Sequence, residues 1–446
     1  MNAGEKTSPL LTDLYELTMA ASYFGNRVSA DATFSLFIRG YPPNRNYFVA
    51  AGLEEALAWL EAFHFAPDDL QYLSTTGLFE ADFLKFLSEL RFSGEVLAMP
   101  EGTIFFANEP VLEVTAPILQ AQLLETYLLN TVGFQTLIAT KAARCLQAAA
   151  GRGLVDFSLR RTQGADAGLR VARSTYLAGF SATSNVLAGR LYGIPISGTM
   201  AHSFVSAFPS EKAAFEAFAR TYPDNSVLLI DTYDTLEGAR QAAIVGRAMR
   251  QRGGRLRGVR LDSGDMADLS RRVRRILDAA GLQETQIFAS SGFDEFKIAD
   301  VIGQGAPIDA FGVGTKIGVS ADAPYFDIVY KMACFEGRPV RKLSPGKVTL
   351  AGAKQVFRRL GEDGHFADDL IGVRDEPADE RVALLEPVMG DGRCLRPRCS
   401  LQEIRSRFHD QFERLPAGCK SLREAVRYPV HLSPRLQALQ TLPLPR

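Results

Sequence analysis

Acidic, basic and imidazole side chains recur in short clusters through the middle of this chain. Asp231, Asp234, Asp262 and Asp265 form two of them. Such carboxylates could hold Mg²⁺ on a polyphosphate, bind ribose hydroxyls, or stabilise developing positive charge. Equally, aspartates at these places could simply cap helices, a role that suits Asp234 and Asp265. Arg160, Arg161 and Arg260 offer guanidinium forks suited to a carboxylate or phosphate, or to ion pairs with the same aspartates. His202 lies in Gly198–Thr199–Met200–Ala201–His202–Ser203. A single histidine is often structural, but its place between the arginine and aspartate clusters favours chemistry. Ser290–Ser291–Gly292 and Gly312–Val313–Gly314–Thr315 lack bulky side chains, so backbone amides there could approach a phosphate. The alternative is a pair of tight turns, and no Walker A loop is present.

These clusters share a position. Each follows a short apolar run: Leu154–Phe157, Ile194–Ile196, Val227–Ile230, Leu256–Leu261, Ile287–Ala289 and Ala310–Val313. Helical stretches separate the runs, as in repeated βα units. In parallel α/β folds the carboxyl ends of the strands converge on one face, where active sites are built. The expected fold is therefore α/β: an irregular TIM-like barrel over 131–335, with an N-terminal α+β domain over 1–130. A small C-terminal domain, 336–446, packs back on the first.

Within the first domain, Asp13 and Glu16 have capping-box spacing for a helix running to about Phe24. Residues 32–39 alternate with strand period, placing Arg39 on a polar face with Thr33 and Ser35. Leu53, Leu57, Leu60 and Phe63 mark one helix stripe, and Phe83, Leu84, Leu87 and Leu90 another. Residues 94–115 read as short strands. A long helix over about Ile118–Ala150 is expected to break near Gly133. The last part contains Ser344–Pro345–Gly346–Lys347, Gly390–Asp391–Gly392 and a helix around Ser400–Phe412.

Composition narrows the partners. The 446 residues carry a formal net charge of -1, so no global field draws the chain to nucleic acid or anionic lipid. No apolar run approaches the roughly 20 residues of a membrane span, and no secretory leader is read at Met1–Leu11. The five scattered cysteines suit reduced thiols and a cytoplasmic setting. Cys394, Cys399, His409 and Cys419 lack the paired spacing of a zinc site.

Three segments together resemble the nicotinate phosphoribosyltransferase family: Asp156–Phe157–Ser158–Leu159–Arg160–Arg161, Gly198–Ser203, and Val259–Arg260–Leu261–Asp262–Ser263–Gly264–Asp265. The likeness begins at Leu11–Tyr15 and weakens beyond Tyr325–Lys331. It implies an enzyme of the ATP-dependent ligase class that condenses nicotinate with 5-phosphoribosyl 1-pyrophosphate, giving nicotinate mononucleotide and pyrophosphate. It further implies coupling to ATP hydrolysis through a phosphohistidine at His202, with Mg²⁺, and a homodimer with shared sites. Tyr15 matches a residue that stacks on the pyridine ring in the neighbouring subunit's site, and Phe157 the residue on the ring's other face. Thr199 and Arg260 match nicotinate contacts. Arg39, with Arg160, Arg161, Ser291, Gly292 and Gly312, falls on the phosphate side, and Gly314 and Thr315 match the loop holding the ribose phosphate. Asp231 and Asp262 match the ribose and magnesium carboxylates.

Relatives that use nicotinamide carry an acidic residue where this chain has Ser184, in Ala182–Thr183–Ser184–Asn185. A carboxylate there would repel nicotinate, so Ser184 favours the acid substrate. The alternatives are a quinolinate or nicotinamide phosphoribosyltransferase, or a non-catalytic metabolite-binding relative.

Overall fold

The computed structural model describes residues 8–342 and 349–442. The Ser344–Lys347 segment singled out above lies outside them. The chain divides into two compact units, one made of Met1–Thr140 with Tyr325–Arg446, the other of Lys141–Pro324.

In the first unit a seven-stranded sheet is built from both ends of the chain. Its order is Arg338–Pro339, Ile328–Phe335, Asp31–Ile38, Pro110–Pro117, Glu95–Ala98, Glu386–Gly390 and Arg393–Cys394, with antiparallel neighbours. Asp31–Ile38 is a central strand, and all its residues after Asp31 are buried. The polar face expected for Thr33 and Ser35 is therefore an interior one. Ser35 donates to the buried Glu113 carboxylate at 2.6 Å, and the Thr33 and Thr115 hydroxyls meet at 3.0 Å. Interior hydroxyls need such partners, because burial without them is costly.

Two local expectations in this unit are corrected. The helix Leu14–Gly25 starts at Asp13, but no capping box forms. The Asp13 and Glu16 carboxylates instead both accept from the Thr126 hydroxyl, which ties this helix start to the start of the helix Glu125–Ala149. The break near Gly133 is also absent. Residues Ile118–Gln122 form a short helix, the turn falls at 123–124, and Glu125–Ala149 runs unbroken. Gly133 has a packing reason rather than a breaking one: a Cβ there would stand 3.2 Å from the Ile328 side chain. The helix expected around Ser400–Phe412 is Leu401–Arg414, and it carries a capping box of its own, Ser400 with Glu403.

The second unit is a parallel sheet of β1 (Gly153–Asp156), β2 (Ala182–Thr183), β3 (Ser226–Leu229), β4 (Leu256–Leu261), β5 (Gln286–Ala289) and β6 (Ala310–Val313). The spatial order β2-β1-β6-β5-β4-β3 is the cyclic order of a barrel left open between β2 and β3. It is a curled half-barrel, the irregular barrel expected. One strand differs. Ile194–Ile196 is not a strand; only Ile196 makes a single bridge, to Thr183, and the second strand is the shorter Ala182–Thr183. Helices follow the strands and pack one face inward. Met266–Ala279, for example, buries Met266, Ala267, Ser270, Val273 and Leu277 along a single stripe.

Candidate active site

Most chemistry-bearing residues of the second unit sit where its strands end, whereas Thr199 and His202 follow the single bridge at Ile196. After β4 the chain turns at Gly264 (φ +85°), a left-handed conformation that favours glycine, and Asp265 caps the next helix by accepting from Ala267 N and Asp268 N. Asp234 caps Thr235–Gln251 in the same way, and Asp294 caps Glu295–Gly303. Asp234 and Asp265, open between capping and chemistry on sequence grounds, thus both cap helices. Each cap places a helix N-terminus, with its partial positive charge, at the same end of the sheet.

Asp231 and Asp262 are tied together. One Asp231 oxygen, Oδ2, accepts from the Asp262 backbone N–H at 3.0 Å and from the Ser263 hydroxyl at 2.5 Å. Its other oxygen, Oδ1, is buried and has no hydrogen-bond partner. Asp262 Oδ1 accepts from the Ser290 hydroxyl at 2.5 Å. Asp262 Oδ2 faces His202 Nε2 at 3.8 Å, and His202 Nδ1 is 3.1 Å from the Thr232 hydroxyl. The imidazole is therefore oriented at one nitrogen and placed beside a carboxylate at the other, while remaining half exposed.

Arg260 and Thr199, the two residues matched to nicotinate contacts, are hydrogen-bonded: Nη1 donates to the Thr199 hydroxyl at 2.5 Å. Arg260 Nε is buried and unpartnered. Burial pulls the guanidinium pKa down and the neighbouring Asp262 and Asp231 push it up, with Arg160 opposing them. Arg160 thus reaches the same electrostatic neighbourhood. Arg160 and Arg161 are exposed in the turn Leu159–Arg161 that follows β1. Asp156, in the same motif, is consumed structurally: its buried carboxylate accepts from Ser158 and Thr183.

Phe157 lies tilted against Phe288, ring centroids 5.5 Å apart. The Phe157 ring occupies the space over Gly312, where a Cβ would fall 2.6 Å from it, so glycine is required there for the ring to sit as it does. Both rings line a cavity of about 920 Å³ together with Gly198, Thr199, Gly258 and Ala310. Ser184 follows β2, its N–H held by the Asp156 carbonyl at 2.8 Å.

The two glycine-containing loops follow the paired strands β5 and β6. Ser291 is in the left-handed region at φ +86°, as is Gly292 at +66°. A non-glycine residue held there stores strain of the kind found at functional sites. Gly314 precedes the short helix Thr315–Gly318, and Thr315 is exposed.

Tyr15 and Arg39 belong to the first unit. Tyr15 is 45% exposed, so its ring is available to a partner molecule. Burial of its hydroxyl, then the Glu125 carboxylate, pushes its pKa up. Arg39 lies 3.5 Å from Asp327, and its Nε is buried without a partner.

Among the described residues no three His, Cys, Asp or Glu side chains converge as a metal-binding group, the Cys394, Cys399, His409 and Cys419 set included. An Asp231–Asp262 pair with a free carboxylate oxygen fits a different ion. Mg²⁺ is commonly held by one or two carboxylates, with phosphate and water supplying the rest. Thr232, Ser263 and Ser290 were not singled out individually from sequence. Hydroxyl residues are too common to stand out, and their partners lie about thirty positions away in the chain.

Sequence and structure comparisons agree on the class: the half-barrel phosphoribosyltransferases of pyridine-nucleotide metabolism. Residues 10–133 match the nicotinate phosphoribosyltransferase N-terminal domain, 153–349 the nicotinate phosphoribosyltransferase family and 378–440 its C-terminal domain. The likeness therefore resumes in the C-terminal segment, beyond the point where its motifs thin out. Nicotinate phosphoribosyltransferase pncB2 of Mycobacterium tuberculosis (strain ATCC 25618 / H37Rv) is 48% identical over 431 residues, covering 96% of this chain and 92% of its own. The crystal structure of human nicotinic acid phosphoribosyltransferase matches at TM-score 0.85 and 32% identity, covering 97% of this chain and 99% of that one. A nicotinate-nucleotide pyrophosphorylase from Pyrococcus furiosus matches at TM-score 0.76 and 26% identity, over 93% and 97%. The chain belongs to the nicotinate phosphoribosyltransferase family, a family of enzymes. Among the described residues, no helix is long and apolar enough to cross a membrane.

Proposed function

We propose that this enzyme condenses nicotinate with 5-phosphoribosyl 1-pyrophosphate, releasing nicotinate mononucleotide and pyrophosphate in NAD salvage, and couples the reaction to ATP hydrolysis through His202. The observation that carries this reading is the strand-end constellation: Arg260 on Thr199, and His202 beside Asp262, itself linked to Asp231.

The pyridine nitrogen attacks the anomeric carbon of the ribose as the bond to pyrophosphate breaks, and the bonding pair leaves with the pyrophosphate oxygen. The sugar passes through an oxocarbenium-like state, whose positive charge the Asp231 and Asp262 carboxylates stabilise. Arg260 and Thr199 hold the nicotinate carboxylate, with Phe157 on one face of the ring; holding two reactants in line supplies much of the rate. Ser184 leaves room for a negative substrate group. Ser291, Gly292, Gly312, Gly314 and Thr315 hold the ribose phosphate, and Arg160 and Arg161 neutralise phosphate charge. Mg²⁺, held by Asp231 and Asp262, would offset charge on the leaving pyrophosphate.

A ring nitrogen of His202 accepts the ATP γ-phosphoryl group as the bond to the bridging oxygen breaks and ADP leaves, adding roughly two negative charges beside Asp262. That charge reorders the surrounding loops for tight substrate binding, and hydrolysis of the phosphohistidine lets products leave. Tyr15, reaching the neighbouring subunit's site in a homodimer, and Arg39, on phosphate, are assigned by family resemblance alone. The setting is cytoplasmic.

Mass spectrometry after incubation with ATP tests the coupling. A labile phosphate should appear on His202 and be absent from His202→Ala, and ATP should stimulate turnover of the wild type only. Phosphate-free wild type with ATP-independent turnover would remove the coupling from the mechanism.

A further inference from the structure

Behind the two loops assigned to the ribose phosphate lies a buried ionic group. Lys141, on the last turns of Glu125–Ala149, is 1% exposed at its side chain. Its ammonium lies 2.5 Å from Glu295 Oε2 and donates to Asp322 Oδ1 at 2.6 Å. Arg144, one helical turn on, donates through Nε to Glu295 Oε1 at 2.9 Å. Two cations thus meet two carboxylates in the interior, where a charge needs a partner. Both cations also lie near the Phe296 ring, 5.9 and 5.6 Å from its centroid.

The partners' positions give the group its meaning. Glu295 opens the helix directly after Ser290–Asp294, the loop following β5. Asp322 ends the segment that starts with Gly314 and Thr315, after β6. One ammonium therefore fastens the helix that follows the first loop, and the turn that follows the second loop's short helix, to a single helix. A second, more exposed layer repeats the arrangement. Lys316, next to Thr315, pairs with Asp294 at 2.6 Å, and Lys297 donates to the Ser291 carbonyl at 2.8 Å. The strained backbone at Ser291 is thus held from its carbonyl while the helix behind it is held by Glu295.

Buried ion pairs of this kind contribute little net stability compared with apolar packing, but they can fix one arrangement over others. We propose that Lys141 is a positioning residue for phosphoribosyl pyrophosphate: through Glu295 and Asp322 it sets the spacing of the two loops that hold the ribose phosphate. This rests on the assignment of those loops under the proposed function. Lys141 itself touches no substrate. Its effect reaches the reaction only through loop geometry, where small displacements are costly.

Steady-state kinetics of the full-length Lys141→Met and Lys141→Arg variants test this. For Lys141→Met the expected result is a rise of about tenfold or more in KM for phosphoribosyl pyrophosphate, with KM for nicotinate and kcat changed far less. Lys141→Arg, which keeps the charge, should recover most of the loss. If Lys141→Met does not fold, Asp322→Asn serves instead. It leaves the Lys141–Glu295 pair in place and should give a smaller rise confined to the same substrate. A phosphoribosyl pyrophosphate KM within about twofold of wild type in a folded variant, or an equal change in both KM values, overturns the proposal. A wild type that forms no nicotinate mononucleotide would instead overturn the function on which it rests.

Discussion

Arg260 donates to the hydroxyl of Thr199 at 2.5 Å, joining the end of β4 to the segment that leads into His202, although sixty-one positions separate the two residues in the chain. The bond leaves Nε of the guanidinium buried and unsatisfied among carboxylates and Arg160. A buried donor without a partner is costly, so the arrangement suits an anionic ligand that completes it.

Arg260→Ala should raise KM for nicotinate. A hydrogen bond to a charged group contributes about 1.5–3 kcal/mol, which corresponds to a loss of roughly 10- to 100-fold in kcat/KM. Arg260→Lys should recover little, because an ammonium cannot reproduce the guanidinium fork. Initial rates at varied nicotinate check this; full activity in Arg260→Lys would separate Arg260 from carboxylate recognition.

Ser184→Asp should impair use of nicotinate while sparing nicotinamide. Two like charges about 4 Å apart repel by about 1–4 kcal/mol between bulk water and a protein surface. The expected fall in kcat/KM for nicotinate is therefore about fivefold or more. Unchanged nicotinate kinetics would show that selectivity is set elsewhere.

Glu211 predicts a pH dependence of stability. It is buried at the start of Glu211–Thr221, and one of its oxygens lacks a partner. Burial first, then Glu237, Asp231 and Asp234, push its pKa from 4.5 up to about 7. Between these values the folded protein keeps a proton that the unfolded chain loses. The stabilising contribution is thus complete below the unfolded value and declines as pH rises to about 7. The melting temperature of Glu211→Gln relative to wild type should accordingly increase between about pH 5 and about pH 8. A difference that stays constant across that range would contradict the assignment.

Much of this architecture was legible in the residues. Apolar runs ending in polar clusters located β1 and β3–β6, because a buried parallel strand must be apolar along its length while its carboxyl end is free to carry chemistry. The same rule failed at Ile194–Ile196. The true β2 is only Ala182–Thr183, too short to produce a pattern, and the longer apolar run beyond it adds a single bridge. Glu16 had the spacing of a cap but found Thr126, more than a hundred positions away, and no local rule foresees such a partner. Likewise, His202 stood out by type, whereas its orientation by Thr232 depends on how the segment after the Ile196 bridge is folded against the end of β3.

The most direct test is product analysis of the wild-type enzyme given phosphoribosyl pyrophosphate with nicotinate, nicotinamide or quinolinate in parallel. Nicotinate mononucleotide and pyrophosphate should accumulate in equal amounts with nicotinate, far faster than with either other base, and Asp262→Asn should suppress both products together. Turnover of nicotinamide or quinolinate at the rate of nicotinate, or no consumption of phosphoribosyl pyrophosphate with any base, would contradict the account.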